Sequence, residues 1–379
     1  KKLGFHTTVL DPTPNGPAAQ VADAEIVGDF KNAEAIRELA KQVNVMTFEI
    51  ESANADALDE LLAAGHDINP SPQTLALIKD KYLQKKFLEE HTVPVADSID
   101  ANSREEILAT VERFGYPFLL KARRDAYDGR GNALIEDESQ IDSGLEKLKG
   151  RMLYVEKFVP FIKELAVVVV RGKSGEILAY PPVETIHKNN ICHLVLSPAL
   201  VDASITRRSE ELAVSIMGHL KGVGVFCVEM FVTADGDILV NEIAPRVHNS
   251  GHHSIEAHET SQFEQHIRAI MGMPLGSIAR IAPASVMINI LGERMGPAEI
   301  AGLEEVENIP GLTVHIYGKA ETRPERKMGH ITAIGDTLSE VRARAEYART
   351  LITIGKNHSA GLLWGRIQIS RLCKRRQRY

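Results

Sequence analysis

An Asp–Gly dipeptide between two apolar runs constrains the fold of this chain more than any other feature. Asp235-Gly236 is a pair favoured in two-residue type I′ hairpin turns, and the runs Val225–Val228 and Ile238–Val240 flank it as strands. Such a turn places Glu229 directly opposite Glu242 on one face of the hairpin. Because like charges destabilise a ladder there, we expect a cation between them, and Mg²⁺ suits the oxygen ligands. The alternative is two solvated surface carboxylates, which the apolar surroundings disfavour.

The composition is that of a globular protein, since 44% of the 379 residues are hydrophobic and 25% are charged. This length allows two or three domains. A net charge of -7 argues against a general nucleic-acid-binding protein, and no apolar run approaches the roughly 18 residues that span a bilayer. The N-terminus has no signal-peptide pattern, and Cys192, Cys227 and Cys373 have the spacing of neither a disulfide framework nor a zinc site. We therefore expect a cytoplasmic enzyme without nucleic-acid or membrane partners.

Strand and helix patterns alternate over the first 70 residues, which predicts a parallel sheet with crossover helices. Residues 1–4 resemble the end of a helix whose preceding strand and glycine-rich turn are missing. The predicted elements are a strand at Thr7–Leu10, a helix at Ala33–Gln42, a strand at Val43–Ile50 and a helix at Asn54–Ala64.

Beyond this segment the patterns mix helices, strands and glycine-rich turns. The predicted elements are a lysine-rich helical region at 73–91, strands at Gly115–Lys121, Val155–Val159 and Leu165–Val170, a helix at 207–222, strands and turns over 284–335, and a helix at 336–352. The tail has no periodicity and ends in a basic cluster.

Two segments outside the hairpin carry residues suited to a nucleotide. Lys121 ends a buried strand, and the loop Asp128–Gly131 offers exposed backbone N–H groups, a combination that can hold phosphates. Glycine-rich hairpin loops are equally common without this role. Glu156–Val159 with Glu164 fits either a charged edge strand with a solvated glutamate, or a linker that meets an adenine edge while Glu164 accepts from ribose hydroxyls. Both alternatives stay open.

Cations and histidines cluster in two further segments. Four cations and a histidine within Lys319–His330 fit either a solvated loop or a substrate phosphate site, to which arginine forks are suited. Pro245–His253 carries three histidines directly after the hairpin. That pattern is compatible with zinc, but the neighbouring oxygen ligands favour magnesium chemistry.

Six short motifs are distributed over residues 3–354: Leu10-Asp-Pro-Thr-Pro, Pro17-Ala-Ala-Gln-Val-Ala, Ala126-Tyr-Asp-Gly-Arg-Gly-Asn, Asn241-Glu-Ile-Ala-Pro-Arg, His248-Asn-Ser-Gly-His and Arg326-Lys-Met-Gly-His. Together they resemble the ATP-grasp superfamily and, more narrowly, the N5-carboxyaminoimidazole ribonucleotide synthetases of purine synthesis. The segment Glu184–His193 is similar to the fungal enzymes, in which this module is fused to a C-terminal mutase domain.

The resemblance implies an α/β fold of the α+β ATP-grasp type. Its expected parts are a truncated Rossmann-like pre-ATP-grasp domain at 1–72, a two-lobed ATP-grasp domain at 73–275, a small C-terminal β-rich domain at 276–354 and an atypical basic tail at 355–379. The chain departs from the family in lacking the opening Gly-rich turn, which contributes to the ribonucleotide site, and the mutase domain. Val247 also replaces a usual proline, and His253 a usual aromatic residue.

The resemblance also implies roles for individual residues. ATP would be contacted by Lys81, Lys121, Ala126, Tyr127, Asp128, Gly129, Arg130, Gly131, Asn132, Glu156, Lys157, Phe158, Val159, Glu164, His187, Asn241 and Glu242. Glu229 and Glu242 would hold Mg²⁺ on the phosphates. The substrate would be bound by Glu51, Asn249, Ser250, Gly251, His252, Lys319, Arg326 and Lys327, and the catalytic residues would be Lys121, Arg246, Lys319 and Arg326.

The implied reaction is ATP-dependent carboxylation of 5-aminoimidazole ribonucleotide with bicarbonate, through carboxyphosphate, with Tyr127–Asn132 closing over the labile intermediate. The family tends towards homodimers. Two alternatives stay open: another ATP-grasp ligase, such as an ATP-dependent glycinamide ribonucleotide formyltransferase, and a nucleotide-binding fragment without turnover. The cations at 319–327 argue against the first, and the missing N-terminal turn favours the second.

Overall fold

Short parallel strand pairs and helices make up the first 80 residues of the computed structural model, which describes residues 1–125 and 131–355. The elements are β1 (Thr8–Asp11), β2 (Ala24–Val27), α1 (Ala33–Ala40), β3 (Val45–Met46), α2 (Ala55–Ala63), β4 (Asp67–Ile68) and α3 (Pro72–Lys79). β1 pairs with β2 and β3 with β4, both in parallel. The helices begin where Asn32, Asn54 and Ser71 accept hydrogen bonds from backbone N–H groups of the first turn.

The parallel pairing predicted for this segment is confirmed, but one of its strands is shorter than predicted. The strand expected at Val43–Ile50 is reduced to β3, because the chain leaves the sheet after Met46. Residues 1–4 form a turn. The N–H of Gly4 donates to the Lys1 carbonyl over 2.8 Å, and Gly4 has a φ of +83°, the left-handed conformation that commonly follows the last residue of a helix. That residues 1–4 end a helix therefore stays a prediction.

The next segment is a small antiparallel sheet covered by helices. Its elements are α4 (Lys81–Glu90), β5 (Ser98–Asp100), α5 (Arg104–Phe114), β6 (Phe118–Ala122), β7 (Asn132–Ile135), α6 (Ile141–Lys147) and β8 (Leu153–Lys157). In the described residues the strand order is β5-β8-β6-β7. Phe118, Leu120 and Val155 point into a core shared with Ile107. β8 is therefore an interior strand, and the alternative of a charged edge strand at Glu156 is wrong.

The lysine-rich region predicted as helical over 73–91 is divided at Asp80. This residue is extended, with φ -96° and ψ 102°, and ends α3. Its carboxylate accepts hydrogen bonds from the N–H groups of Tyr82 and Leu83, so it also caps α4. The division turns α4 onto the main sheet, where the Gln84 amide accepts from Ile243 N–H over 2.9 Å.

Nine strands of the described residues form the main sheet. Its first elements are β9 (Phe161–Arg171), β10 (Ile177–Ala179), β11 (Val183–Lys188), β12 (Ile191–Ser197), α7 (Ala203–Leu220), β13 (Gly224–Thr233), β14 (Ile238–Ala244), α8 (Ser254–Ala257) and α9 (Gln262–Ile270). β9 begins four residues before the predicted strand and α7 four residues before the predicted helix. Val167, Phe226 and Met217 form one core with α7, and α9 covers the opposite face.

The C-terminal strands extend this same sheet. The remaining elements are β15 (Ala284–Leu291), β16 (Gly296–Pro297), β17 (Ile300–Ala301), α10 (Leu303–Val306), β18 (Leu312–Ile316), β19 (Glu321–Thr322), β20 (Lys327–Gly335), α11 (Leu338–Leu351) and β21 (Thr353–Ile354). β15 pairs with β12, so the order along the sheet is β14-β13-β9-β11-β12-β15-β20-β18, and β10 pairs with β9 at the side. Side chains from the hairpin and from the C-terminal strands can therefore share one sheet face.

No helix within residues 1–125 and 131–355 is long and apolar enough to cross a membrane. The predicted loop residues Ala126, Tyr127, Asp128, Gly129 and Arg130, and the tail from residue 356 onwards, lie outside the described residues.

Candidate active site

Glu229 and Glu242 are direct cross-strand partners in the β13–β14 hairpin, as the sequence predicts. The turn, however, is not the predicted two-residue type I′ turn. Thr233 N–H donates to the Asp237 carbonyl over 3.0 Å, which leaves a three-residue loop whose left-handed residue is Gly236, with φ +80°. Near the loop Met230 faces Val240. A bulge in β14 then leaves Asn241 without a cross-strand partner, so that Glu229 faces Glu242. The predicted pairing is right because these two departures compensate.

Lys81 and His248 contact the two carboxylates. The Lys81 ammonium, at the start of α4, pairs with Glu242, and His248 Nε2 lies 3.5 Å from Glu229 Oε1. Burial and the facing Glu242 carboxylate raise the pKa of Glu229. Burial alone would raise the pKa of Glu242 as well, but the Lys81 charge holds it below the ordinary value. Two facing carboxylates, of which only Glu242 pairs with a lysine, leave negative charge that a divalent cation would neutralise.

Lys121 reaches this region from β6 and shares a carboxylate with a second lysine. Lys121 Nζ lies 3.1 Å from one oxygen of Glu156, and Lys85 Nζ lies 2.8 Å from the other. The side chains of Lys85 and Glu156 are each 2% exposed. Burial alone would raise the pKa of Glu156, but the two lysines lower it. The sequence did not single out Lys85, although its position one helical turn after Lys81 was an available signal.

A buried ion pair fixes the backbone that presents Lys81. The Arg123 guanidinium donates to both carboxylate oxygens of Asp80 over 2.9 to 3.2 Å. The Lys81 N–H donates to the Arg123 carbonyl over 2.8 Å. The start of α4 is thereby tied to the end of β6, immediately before the loop predicted to cover phosphates. Gly131 and Asn132, the described end of that loop, lead into β7, where Asn132 pairs with Lys121.

Glu164 and His187 meet on neighbouring strands of the main sheet. Their β9 and β11 backbones are adjacent, and His187 Nδ1 lies 2.7 Å from Glu164 Oε2. Burial alone would lower the pKa of His187, but the Glu164 carboxylate raises it above its ordinary value. Lys157 ends β8 and is exposed, and Phe158 and Val159 lie in the short connection from β8 to β9. This connection joins the small sheet to the main sheet.

Acidic and basic side chains from distant segments meet beside the hairpin. Arg246 Nη2 lies 3.0 Å from Glu51 Oε1. Glu49 is also close to Arg246. Burial raises the pKa of Glu49, while the charges of Arg246 and Lys319 oppose that shift. Burial and the neighbouring Arg326 lower the pKa of Lys319. Sequence reasoning identified Glu51 but missed Glu49. The available signal was that Glu49 lies two residues before Glu51 in Phe48-Glu-Ile-Glu51.

The predicted phosphate-binding cations lie on the loop before β20 and at its start. Lys319 Nζ donates to the Lys327 carbonyl over 2.9 Å, and Arg326 Nη1 donates to the Glu321 carbonyl over 2.6 Å. Gln20, from the N-terminal segment, donates to the Gly318 carbonyl over 3.0 Å. Gly318 has φ +72°, and a Cβ there would approach Gln20 Oε1 to 2.6 Å. Gln20 therefore fixes the loop that carries Lys319, a role that sequence reasoning did not assign.

The segment from Asn249 to His252 packs tightly on the main sheet. Asn249 exchanges hydrogen bonds with Asn289 on β15 over 2.6 and 2.9 Å. Ser250 and Gly251 are buried, and the Gly251 carbonyl accepts a hydrogen bond from the Ser254 hydroxyl over 2.5 Å. His252 Nδ1 contacts the Gln262 amide at 3.0 Å, and burial lowers the pKa of His252 to about 3.

The three histidines considered for zinc do not converge. In the described residues each ring nitrogen Nδ1 has a different partner: Ser250 for His248, Gln262 for His252 and Ser285 for His253. Among the described residues, these three histidines do not form a group whose ligand atoms are close enough to share an ion.

Three family models match consecutive parts of the chain. A ribonucleotide synthetase pre-ATP-grasp domain matches residues 1–79, an ATP-grasp domain residues 86–263, and a phosphoribosylaminoimidazole carboxylase C-terminal domain residues 285–344. These matches confirm the predicted α/β ATP-grasp fold with pre-ATP-grasp and C-terminal parts.

Proteins of known sequence and structure extend these matches over most of the chain. The phosphoribosylaminoimidazole carboxylase of Ogataea methanolica is 44% identical over 354 residues, which are 91% of this chain and 65% of the relative. The chain thus spans less than two thirds of that relative's length. The N5-carboxyaminoimidazole ribonucleotide synthase of Bacillus subtilis is 39% identical over 88% of this chain and 86% of its own. A crystal structure of N5-carboxyaminoimidazole synthase from Aspergillus clavatus with ADP and 5-aminoimidazole ribonucleotide superposes with a TM-score of 0.85, at 38% identity and 92% coverage of both chains.

Proposed function

Because the chain belongs to the N5-carboxyaminoimidazole ribonucleotide synthetase family, we propose that it carboxylates 5-aminoimidazole ribonucleotide with bicarbonate, at the expense of ATP, in purine biosynthesis. The observation that carries this proposal is the facing pair Glu229 and Glu242, with Lys81 in contact with it. A pair of carboxylates beside lysines suits the metal-bound phosphates of a nucleotide. The Aspergillus clavatus relative, crystallised with ADP and the ribonucleotide, supports the choice of substrates.

The proposed nucleotide site lies between the small sheet and the main sheet. Lys121 and Lys81 would neutralise phosphate charge, while Glu156 keeps Lys121 in position. The connection from Glu156 to Val159 would meet the adenine edge, and Glu164 would accept from the ribose hydroxyls. His187 holds Glu164 in place through their 2.7 Å contact. The loop Tyr127–Asn132 stays the predicted cover of the labile intermediate.

The residues present fit a magnesium ion. Burial and mutual repulsion raise the pKa of Glu229, and a divalent cation between the carboxylates would remove that repulsion. Oxygen ligands from two carboxylates and the phosphates match the preference of Mg²⁺. When bound, the ion neutralises charge on the transferred phosphoryl group. Asn241, whose carbonyl faces the buried Lys85 at 3.4 Å, stays a predicted contact of the nucleotide.

The proposed ribonucleotide site lies on the other side of the hairpin. Lys319, Arg326 and Lys327 would bind its phosphate, since arginine and lysine at one loop suit a dianion. Arg246 would bind bicarbonate or the carboxylated intermediate and is held by Glu51 at 3.0 Å. Asn249 and His252 would border the imidazole ring of the ribonucleotide, and the buried Ser250 and Gly251 would lie beneath the bound substrate as part of the same turn.

The chemistry proposed for the site balances without a further reactant. The γ-phosphoryl group passes from ATP to a bicarbonate oxygen, which gives ADP and carboxyphosphate. The exocyclic amine attacks the carboxyl carbon of this species, or CO₂ released from it. The bond to phosphate breaks, inorganic phosphate leaves and the amine loses a proton. The protein contributes positioning and charge neutralisation.

ADP formation in the presence of bicarbonate tests this proposal. We expect 5-aminoimidazole ribonucleotide to stimulate turnover in the wild-type chain and Glu242→Gln to abolish that stimulation. Glu146→Gln, on the exposed face of α6, is the matched control and should retain it. Stimulation by glycinamide ribonucleotide instead would identify a different ATP-grasp ligase. Nucleotide binding without turnover in the wild-type chain would contradict the proposed activity.

Three further predictions accompany this function. A homodimer is expected from the family alone, and sedimentation of the purified chain would test it. A cytoplasmic location follows from the proposed pathway. The domain boundaries proposed at 72/73, 275/276 and 354/355 can be checked by limited proteolysis.

A further inference from the structure

Two histidines and a glutamate converge away from the carboxylate hairpin. His315 on β18 and His330 on β20 are direct cross-strand partners, with their rings stacked 4.6 Å apart. Glu256, on α8, lies over these strands, and its Oε1 is 2.7 Å from His315 Nε2. One potential ligand atom from each of the three residues lies within 4.8 Å of the other two. Glu256 lies 59 positions before His315 and 74 positions before His330 in the sequence, so only the fold brings it to the two histidines.

Unpartnered polar atoms at this cluster form a second, independent observation. Among the described residues, His330 Nε2, Glu256 Oε2 and Thr332 Oγ1 are buried without a hydrogen-bond partner. His330 is 2% exposed, and its other ring nitrogen, Nδ1, already contacts the Tyr317 hydroxyl at 2.9 Å. Buried polar atoms normally have partners, so these atoms point to a bound species. The contact between Nδ1 and the Tyr317 hydroxyl orients the ring, as outer-shell hydrogen bonds do for metal-ligating histidines.

We propose that Glu256, His315 and His330 bind a divalent transition-metal ion of the zinc class. Two imidazoles and one carboxylate are a ligand set typical of zinc, and they leave a fourth position for water. Ligand atoms around tetrahedral zinc lie roughly 3.3 Å apart, given bonds of about 2.0–2.1 Å. The present ligand atoms lie within 4.8 Å of one another, so side-chain rotations would bring them together around an ion. The nitrogen ligands distinguish this site from the oxygen-only pair Glu229 and Glu242, which suits magnesium.

The protonation states required for metal binding are accessible. Burial lowers the pKa of His330 to about 2, so its ring is neutral at neutral pH. The hydrogen shared by His315 Nε2 and Glu256 Oε1 must leave that nitrogen when a metal binds, either to solvent or to Nδ1 of the same ring. The His315 side chain is 31% exposed, which gives an ion a route to the cluster.

A metal ion here would join three segments that border the proposed ribonucleotide site. α8 follows directly after the turn that carries Asn249 and His252, and β20 begins at Lys327. His252 and His330 also lie close together, with ring centroids 5.0 Å apart. The ion would therefore restrain the substrate-facing turn relative to β20. Ordered water that bridges the same unpartnered atoms is the competing explanation.

The full chain, dialysed against a chelator, provides the test with Zn²⁺ and Co²⁺ as probes. All measurements use a Glu242→Gln background, so that the hairpin carboxylates do not contribute a second metal site. We expect one Zn²⁺ per chain, and an intense visible d–d absorption when Co²⁺ replaces it, as tetrahedral coordination produces. His315→Asn and Glu256→Gln should each weaken Zn²⁺ binding by at least about tenfold, because even changes outside the ligand shell cost 10–100-fold.

His6→Asn, which removes an exposed histidine outside the cluster, is the matched control and should leave Zn²⁺ affinity unchanged. Zn²⁺ should also raise the Tm of the control but not of His315→Asn, because only a ligand that binds the folded state shifts Tm. Equal Zn²⁺ affinity in the control and in His315→Asn would overturn the proposal. So would the absence of any Zn²⁺-dependent change in Tm, which would leave ordered water as the occupant. Neither result depends on whether the chain carboxylates the ribonucleotide.

Discussion

Glu229 faces Glu242 only because Asn241 is an extra residue in β14. Between the loop and Val240 the register would pair Glu229 with Asn241 and turn Glu242 to the opposite face. The bulge restores the pairing, and both carboxylates then lie on the face reached by Lys81. Bulges of this kind commonly re-aim side chains next to active sites. The metal-binding geometry that we propose therefore depends on one irregular residue.

The buried lysine pair around Glu156 should contribute to stability as well as to the site. Lys85→Met leaves Glu156 with one lysine, and breaking a buried ion pair costs about 3–5 kcal/mol. We expect the urea-unfolding free energy to fall by that order. Lys149→Met is the matched control, because Lys149 and its partner Glu146 are both more than 70% exposed, and it should change stability little. Equal losses in the two variants would contradict the assigned role of Lys85.

Asp80 is expected to position Lys81 for the nucleotide. Asp80→Asn keeps a capping oxygen at α4 but removes the charge that pairs with Arg123. We expect a raised KM for ATP and reduced stability, because the buried guanidinium loses its main partner. Asp100→Asn removes the weaker partner of Arg123, which lies at 3.4 Å and is 44% exposed. Steady-state kinetics should therefore show a smaller change for Asp100→Asn, and the reverse order would refute the positioning role.

The stability of the chain should fall below neutral pH in part through His266. Burial lowers the pKa of His266 to about 4, and its ring joins Thr47 Oγ1 to the Val225 N–H. The unfolded chain binds a proton near the ordinary value of about 6.5, whereas the folded chain does not until about pH 4. The contribution of His266 to the free energy of unfolding is therefore fully present above pH 6.5. It is lost as the pH falls towards 4, by at most about 1.4 kcal/mol per pH unit.

His266→Gln isolates that contribution, because an amide can accept from Val225 N–H and donate to Thr47 without titrating. Unfolding free energies measured between pH 7 and pH 5 should depend less on pH in this variant than in the wild-type chain. An identical slope in both proteins would show that His266 does not titrate as proposed.

Gly251 is required where the turn before α8 packs on β9. A Cβ at this position would approach Gln262 Oε1 to 2.4 Å and Val168 Cγ2 to 2.8 Å. Gly251→Ala should destabilise the chain by about 1–3 kcal/mol through overpacking. Gly218→Ala is the control within α7, where a Cβ meets nothing within 4 Å, and it should stabilise the helix by about 0.5–1 kcal/mol. Calorimetric Tm values that move in the same direction for both variants would contradict this difference.

Local sequence determined much of the fold because turn and helix signals act over neighbouring residues. The glycine in Asp235-Gly236 determined a hairpin, and the apolar run Leu165–Val170 determined a buried strand. The motif residues carried the likeness to a ligase family. The type of the turn was not determined, since Gly236 but not Asp235 adopts a left-handed conformation. The choice between a two-residue and a three-residue loop depends on how the two strands pair with the rest of the sheet. The dipeptide alone does not encode that pairing.

Only the tertiary structure decided which distant charges meet. Lys85, Glu156 and Lys121 come from a helix and two strands, and the fold buries them together because α4 turns onto the sheets after Asp80. Glu256, His315 and His330 likewise converge because β18 and β20 extend the main sheet beneath α8. Such contacts depend on strand order and register, which arise from the packing of the whole chain. The sequence therefore determined the types of chemical groups available, and the fold determined which of them act together.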